Sequence, residues 1–197
     1  MQEEVMEVVA ICGSARLKGN TATLVEALLE GAREAGAKTT RFDPATMNIG
    51  DCDGDRMWLE SAEAGCIQDD DMQRIYAALK RADGWVFAGP VYFWNVSGSL
   101  KRVIDRLYAF YTEEGGWHLG LEGTRKGAVI VVQADEEQET PKRMAEYVAS
   151  VMRDLRCEVI GRIAEGGIGD PGDAAKRAEV MERARQLGRE LAQAAAR

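Results

Sequence analysis

The spacing of apolar residues along this chain changes repeatedly, and each change marks an element. Val5, Val8, Val9 and Ile11 form an apolar run that stops at Gly13, as expected of a short buried strand. Leu24, Leu28, Gly31 and Ala32 then recur at helical spacing and predict an amphipathic helix over 20–35, closed by Gly36. Residues 38–42 read as a second strand, with Thr39 and Thr40 favouring extension. Met72, Ile75, Tyr76 and Leu79 predict a helix capped by Asp69 or Asp70. Residues 84–89, GWVFAG, are almost wholly apolar, as in a central strand of a parallel sheet. Ser97 caps a further helix with Leu100, Val103, Ile104 and Leu107 inside. A strand at 127–132, a helix at 141–155 and a strand at 157–163 follow. After a connection carrying Gly166, Gly167, Gly169 and Gly172 comes a C-terminal helix with Ala178, Met181, Leu187 and Leu191 on its apolar face.

Two stretches break this rhythm. Between 43 and 68 Pro44, Gly50, Gly54 and Gly65 punctuate a polar, acidic segment, and connections of that length are usually functional or mobile. Residues 108–123 are irregular and carry Trp117 and the only histidine, His118. Elsewhere five strands alternate with five helices. That alternation predicts an α/β fold, a doubly wound five-stranded parallel sheet in the order 2-1-3-4-5 with helices on both faces in three layers. The 197 residues suit one domain over 1–197. In such a sheet, ligands lie where strand order reverses, so the loops after the first and third strands should face each other across one crevice.

A net charge of -8 argues against a nucleic-acid partner, which requires a basic face. No stretch has the length of a membrane span, and the acidic start Met1-Gln2-Glu3-Glu4 does not read as a signal peptide. Four scattered cysteines do not make a disulfide scaffold, so a reducing, cytoplasmic setting is expected. Cys12 and Cys157 lie within strands and read as small buried hydrophobes.

The chemistry gathers in the two facing loops. In ICGSARLKGNT (11–21), a strand ends in small and hydroxylated residues before a helix begins. That arrangement aims unpaired N–H groups and a helix dipole at an anion. Arg16 and Lys18 add charge, and Ser14, Asn20 and Thr21 add side-chain donors. Five residues separate Gly13 from Gly19, and Asn20 stands where a P-loop needs lysine; Gly13-Ser14-Ala15 also breaks the dinucleotide fingerprint. Opposite, GPVYFWNVSGSLKRVIDR (89–106) offers the apolar faces of Tyr92, Phe93 and Trp94 and the amide of Asn95 to a flat heteroaromatic ring. Together they imply a mononucleotide with a planar base.

GSARLKGNT resembles the G-S-x-R-x-x-G-N-T phosphate loop of the NAD(P)H-dependent FMN reductase and iron–sulfur flavoprotein group of flavodoxin-like proteins. The block from Asp70 to Arg106, with its Pro-x-Tyr loop and terminal Ile-Asp-Arg, resembles that group's second motif; together the motifs span roughly residues 5–107. The resemblance implies FMN as cofactor. It makes Ser14, Arg16, Asn20 and Thr21 phosphate ligands and lays Pro90, Val91, Tyr92, Phe93, Trp94 and Asn95 along the isoalloxazine. A third flavin loop is expected at Gln133, Ala134 and Asp135. Here the chain departs from its relatives by carrying Asp135, Glu136 and Glu137, whose charge near the ring would disfavour anionic reduced flavin. Iron–sulfur members carry a C-x2-C-x2-C run and a further cysteine; the matching positions here read Cys52, Asp55, Trp58 and Cys66, so no cluster and no metal are expected. No side chain is expected to be catalytic, His118 included, since the flavin carries the chemistry. The expected activity is hydride transfer from NADPH or NADH to flavin and on to a small-molecule acceptor such as a quinone or free flavin. A flavodoxin-like electron carrier is the alternative. A homodimer or homotetramer is expected, with 107–117 supplying contacts.

Overall fold

The computed structural model describes residues 5–55, 65–112 and 118–195. Its elements are β1 (Glu7–Cys12), α1 (Asn20–Glu34), β2 (Lys38–Phe42), α2 (Met72–Arg81), β3 (Gly84–Tyr92), β4 (Asn95–Val96), α3 (Gly98–Arg106), β5 (Tyr111–Thr112), β6 (His118–Leu119), β7 (Arg125–Val132), α4 (Glu139–Asp154), β8 (Cys157–Glu165), α5 (Asp173–Lys176) and α6 (Ala178–Ala195). The main sheet runs β2-β1-β3-β7-β8 with all four pairings parallel. This is the expected 2-1-3-4-5 order, with β7 and β8 as the fourth and fifth long strands.

Alternation along each strand divides the core between the two faces of the sheet. Val9, Ile11, Trp85, Phe87, Val129 and Val131 face α2, α3 and α4. Val8, Ala10, Val86, Ala88, Ala128 and Ile130 face α1 and α6. Strands buried on both sides carry apolar residues at nearly every position, which is why they were readable as continuous runs. The α1–α6 contact has no room for side chains at its centre. A Cβ on Gly31 would sit 1.9 Å from the Arg185 carbonyl oxygen, and one on Gly188 would sit 1.9 Å from that of Leu28.

Three local features differ from the sequence expectation. β3 continues past Gly89 through Pro90 to Tyr92 and turns back, pairing Val91 with Val96 and Tyr92 with Asn95. Proline is tolerated there for a geometric reason. The Ala88 carbonyl accepts from Gly13 N–H on the β1 side at 2.8 Å. Pro90, two residues on, faces the same side, where β1 has ended. Second, β5 and β6 form a small antiparallel ladder inside the stretch expected to be irregular. Third, the long connection after β2 is tied down at both ends: Asp71 N–H donates to the Asn48 carbonyl at 2.9 Å, and Asn48 N–H to the Asp71 carboxylate at 2.8 Å. Trp58 and Trp117 lie outside the described residues. No helix among the described residues is long and apolar enough to cross a membrane.

Candidate functional site

One cleft lies at the carboxyl ends of β1, β3 and β7. It is lined by Ser14, Arg16, Gly19, Asn20 and Thr21, by Pro90, Val91 and Tyr92, by Val132, Gln133 and Ala134, and by Ile168 and Gly169. Arg16 is the one charged side chain among these lining residues, so the lining itself carries positive charge although the chain as a whole is acidic.

The first loop is shaped by short-range bonds. Ser14 Oγ accepts the Arg16 N–H and donates to the Arg16 carbonyl, each at 3.1 Å, and Gly19 N–H returns to the same carbonyl at 2.9 Å. Glycine is needed at position 19 because a Cβ there would stand 2.9 Å from the Arg16 Cβ. From outside, Arg41, ion-paired with Asp43 at 2.6 Å, donates to the Leu17 carbonyl at 3.1 Å. α1 then opens with no side-chain cap and no acidic residue in its first turn. Its leading N–H groups and dipole are left for an external anion.

Gly13 joins this loop to α3. Ser97 Oγ and Ser99 Oγ both donate to the Gly13 carbonyl, at 2.6 and 2.7 Å, and Ser97 also caps α3. A Cβ on Gly13 would lie 2.5 Å from Leu100 Cβ and 2.8 Å from Ser97 Oγ. Its glycine is therefore a consequence of helix approach as much as of turning the chain.

The structure distributes the residues expected along a ring differently. Pro90, Val91 and Tyr92 line the cleft, whereas Phe93, Trp94 and Asn95 do not. Phe93 and Trp94 form the two-residue turn between β3 and β4, with φ of +47° and +59°. They are 94% and 68% exposed and meet edge to face at 6.0 Å. The Asn95 side-chain oxygen accepts the Val96 N–H at 2.8 Å.

Of the third loop, Gln133 and Ala134 line the cleft, and Asp135 does not. The acidic run has internal uses. Asp135 Oδ1 accepts the Glu137 N–H at 2.9 Å, and the Glu137 carboxylate accepts the N–H groups of Glu139 and Thr140 at the start of α4. Burial would raise the Glu137 pKa, but these bonds at the helix start outweigh it and hold the carboxyl below its ordinary value. Gln133 turns its amide onto the Glu137 carbonyl at 2.5 Å.

Ile168 and Gly169 were not foreseen as site residues. They belong to the Gly-rich connection after β8, which lies along the third loop. Ile168 N–H donates to the Gln133 carbonyl at 2.9 Å and Gly167 N–H to that of Asp135 at 2.6 Å. The Asn20 side chain, which the sequence alone assigns to a phosphate, is also committed here. Its Nδ2 donates to the carbonyls of Ile168 (3.3 Å) and Asp170 (2.8 Å), and its Oδ1 accepts the Ala174 N–H (3.1 Å).

A further departure concerns α3. Charged residues such as Lys101, Arg102, Asp105 and Arg106 ordinarily belong to the solvated face of an amphipathic helix, yet Arg106 is 2% exposed. It pairs with Asp70 at 2.7 Å and donates to the Gly50 carbonyl at 3.0 Å, Gln68 Oε1 at 2.8 Å and Cys66 Sγ at 3.1 Å. This one side chain gathers both ends of the long acidic connection. Burial would raise the Asp70 pKa, but Arg106 and the N–H groups of Gly50 and Met72 more than offset it and hold the carboxyl below its usual range. Cys12 and Cys157 are buried in β1 and β8, where burial pushes both thiols up, Cys157 to about 12.

A doubly wound sheet with an anion cradle after its first strand and an apolar loop after its third defines a flavodoxin-like, FMN-binding class of protein. The profile of the family "NADPH-dependent FMN reductase" matches residues 6–138, and the chain belongs to that family. Among curated relatives, an iron–sulfur flavoprotein of Archaeoglobus fulgidus is 28% identical over 191 residues, covering 96% of this chain and 80% of the relative. Iron–sulfur flavoprotein MJ1083 of Methanocaldococcus jannaschii is 38% identical over 101 residues, about half of each chain. Among solved structures, an NAD(P)H:quinone oxidoreductase from Methanothermobacter marburgensis superposes with a TM-score of 0.73 at 26% identity, covering 95% of this chain and all of that one.

The residues present fit FMN: a single cation, first-turn N–H groups without an acidic neighbour, and an adjoining apolar strip at Pro90–Tyr92. They do not fit an iron–sulfur cluster. Of the four cysteines in the chain, two are enclosed in core strands, leaving only Cys52 and Cys66 where four thiolates are needed.

Proposed function

We propose that this chain is an FMN-dependent NAD(P)H oxidoreductase that delivers electrons to a small acceptor such as a quinone or free flavin. The observation that carries the reading is the convergence of Gly13–Thr21, Pro90–Tyr92 and Gln133–Ala134 on one cleft whose only charged lining side chain is Arg16. FMN bound there would supply the redox chemistry, accepting a hydride from reduced nicotinamide and reducing the acceptor in a second half-reaction.

The chain supplies position and electrostatics. Arg16 and the leading N–H groups of α1 hold the phosphate, and the Ser14 bridge keeps the loop around it closed. Pro90 and Val91, carried on the end of β3, present a rigid apolar edge to the ring. The exposed Phe93–Trp94 turn beyond Tyr92 offers aromatic faces to the planar reductant or acceptor. A second copy of the chain, docking through exposed aromatics such as Tyr108, completes the reading as a homodimer or homotetramer working in the cytoplasm.

The competing reading is a one-electron carrier of flavodoxin type, which the acidity of the chain favours through docking on basic partners. Anaerobic stopped-flow mixing of the FMN-loaded protein with NADPH and with NADH separates the two. Flavin bleaching within the mixing series, followed by reoxidation with a quinone, is expected. No bleaching with either nucleotide would leave only the carrier.

A further inference from the structure

We infer that the segment from Gly166 to Asp170 is a fourth wall of the cofactor cleft, and that Asn20 is the positioning residue that fastens it. This rests on the proposed flavin site and goes beyond it, because the wall lies outside the residues 6–138 that match the family.

Ile168 and Gly169 line the same cleft as Arg16 and Pro90. Two sets of bonds hold them there. On one side the backbone lies on the third loop, through Ile168 N–H to Gln133 and Gly167 N–H to Asp135. The approach is so close that a Cβ on Gly166 would sit 2.4 Å from the Glu137 carbonyl oxygen, and one on Gly169 would sit 2.8 Å from Ala134 Cβ. On the other side the Ile168 and Asp170 carbonyls accept from the amide of Asn20, the first residue of α1, which is 8% exposed, and the Ala174 N–H just beyond the wall donates to its oxygen. Both N–H groups of its amide and its oxygen are engaged, so it has no donor left for a phosphate. Asn20 instead joins the phosphate loop to the start of α5, and the wall hangs between that joint and the third loop.

A ligand of phosphate and a fastener of a wall differ in what they discriminate. Loss of a phosphate ligand weakens FMN and spares riboflavin. Loss of the wall weakens both flavins by the same factor, because the cleft itself has opened. Two lesions in one wall also fail to add, whereas unrelated damage adds.

The test uses the full-length chain freed of flavin. Dissociation constants for FMN and for riboflavin are measured by fluorescence quenching for wild type, Asn20→Ala, Gly169→Ala and the double variant. Amide exchange at Ala174 is followed in the same proteins without flavin. Asn20→Ala is expected to weaken both flavins about tenfold or more, leaving their ratio unchanged. Gly169→Ala is expected to do the same, the double variant to be no weaker than the worse single one, and Ala174 to lose protection only where Asn20 is replaced. Weakening of FMN alone by Asn20→Ala would make Asn20 a phosphate ligand and overturn the inference. Additive losses, or an unchanged Ala174 amide, would overturn it too. A wild-type chain that binds neither flavin would overturn the proposed function and the wall's role with it, whereas tight flavin binding that neither variant disturbs would overturn the wall alone.

Discussion

Single positions in this protein are constrained from several directions at once, and Gly13 is the clearest. Its carbonyl accepts two serine hydroxyls, and Leu100 and Ser97 occupy the space a side chain would need. Gly13→Ala is expected to destabilise the fold by about 1–3 kcal/mol, the cost of forcing extra volume into a packed site. Urea unfolding measures it, and an unchanged midpoint would show that α3 can retreat freely. Asp70 is constrained by charge. Its pKa is lower in the folded chain than in the unfolded one. Its contribution is therefore fully present above about pH 4, the ordinary carboxyl value, and is lost as pH falls through the depressed folded value. Asp70→Asn leaves the Arg106 cation buried without its partner, at a cost of roughly 3–5 kcal/mol near neutral pH. The variant should lose less further stability on acidification than wild type does, as read from urea midpoints at pH 7 and pH 3. Arg106 was hidden in the sequence because a charged residue at the end of an amphipathic helix ordinarily belongs to the solvated face; only its i+3 relation to the buried Val103 hinted otherwise.

At the scale of elements, the three central strands and the long helices were legible because each is buried in a regular way. The edge strand β2, with no fully buried residue, was legible only from the extension-favouring Thr39 and Thr40. Doubly covered strands are apolar throughout, and helices against a sheet repeat every three to four residues. The β3–β4 turn was not legible. Two-residue hairpin turns of this hand call for residues tolerant of positive φ, such as Asn-Gly, and Phe93-Trp94 carries no such signal. A bulky residue held in that region stores about 1–2 kcal/mol. Strain of this kind persists where it serves a site. Trp94→Gly is expected to raise the melting temperature by about 2–4 °C per kcal/mol relieved. Quinone KM should rise in the same variant while FMN affinity stays as it was. A lower melting temperature together with weaker FMN binding would place Trp94 against the cofactor instead.

In the whole molecule, overall acidity and a cleft lined by a single cation are reconciled by placing charges where they are consumed locally. The β8 edge of the sheet illustrates this: Lys126 pairs with Glu158, Arg162 with Glu146 and Arg183 with Glu165. Such an edge is guarded against pairing with another strand. Fold class and two walls of the cleft were readable because they rest on contiguous motifs at the ends of β1 and β3. The fourth wall was not, because its meaning lies in contacts between distant parts of the chain, while the sequence shows only a run of glycines.

The joint at Asn20 links residues 148 to 154 positions apart. Synthesis proceeds from the N-terminus, and a domain folds as a unit. The phosphate loop is therefore made well before the segment that closes the cleft around it, and it reaches its folded setting only when that distant segment joins it at Asn20. Under the proposed function, retained flavin then reports that the chain has been made at least as far as Ala174.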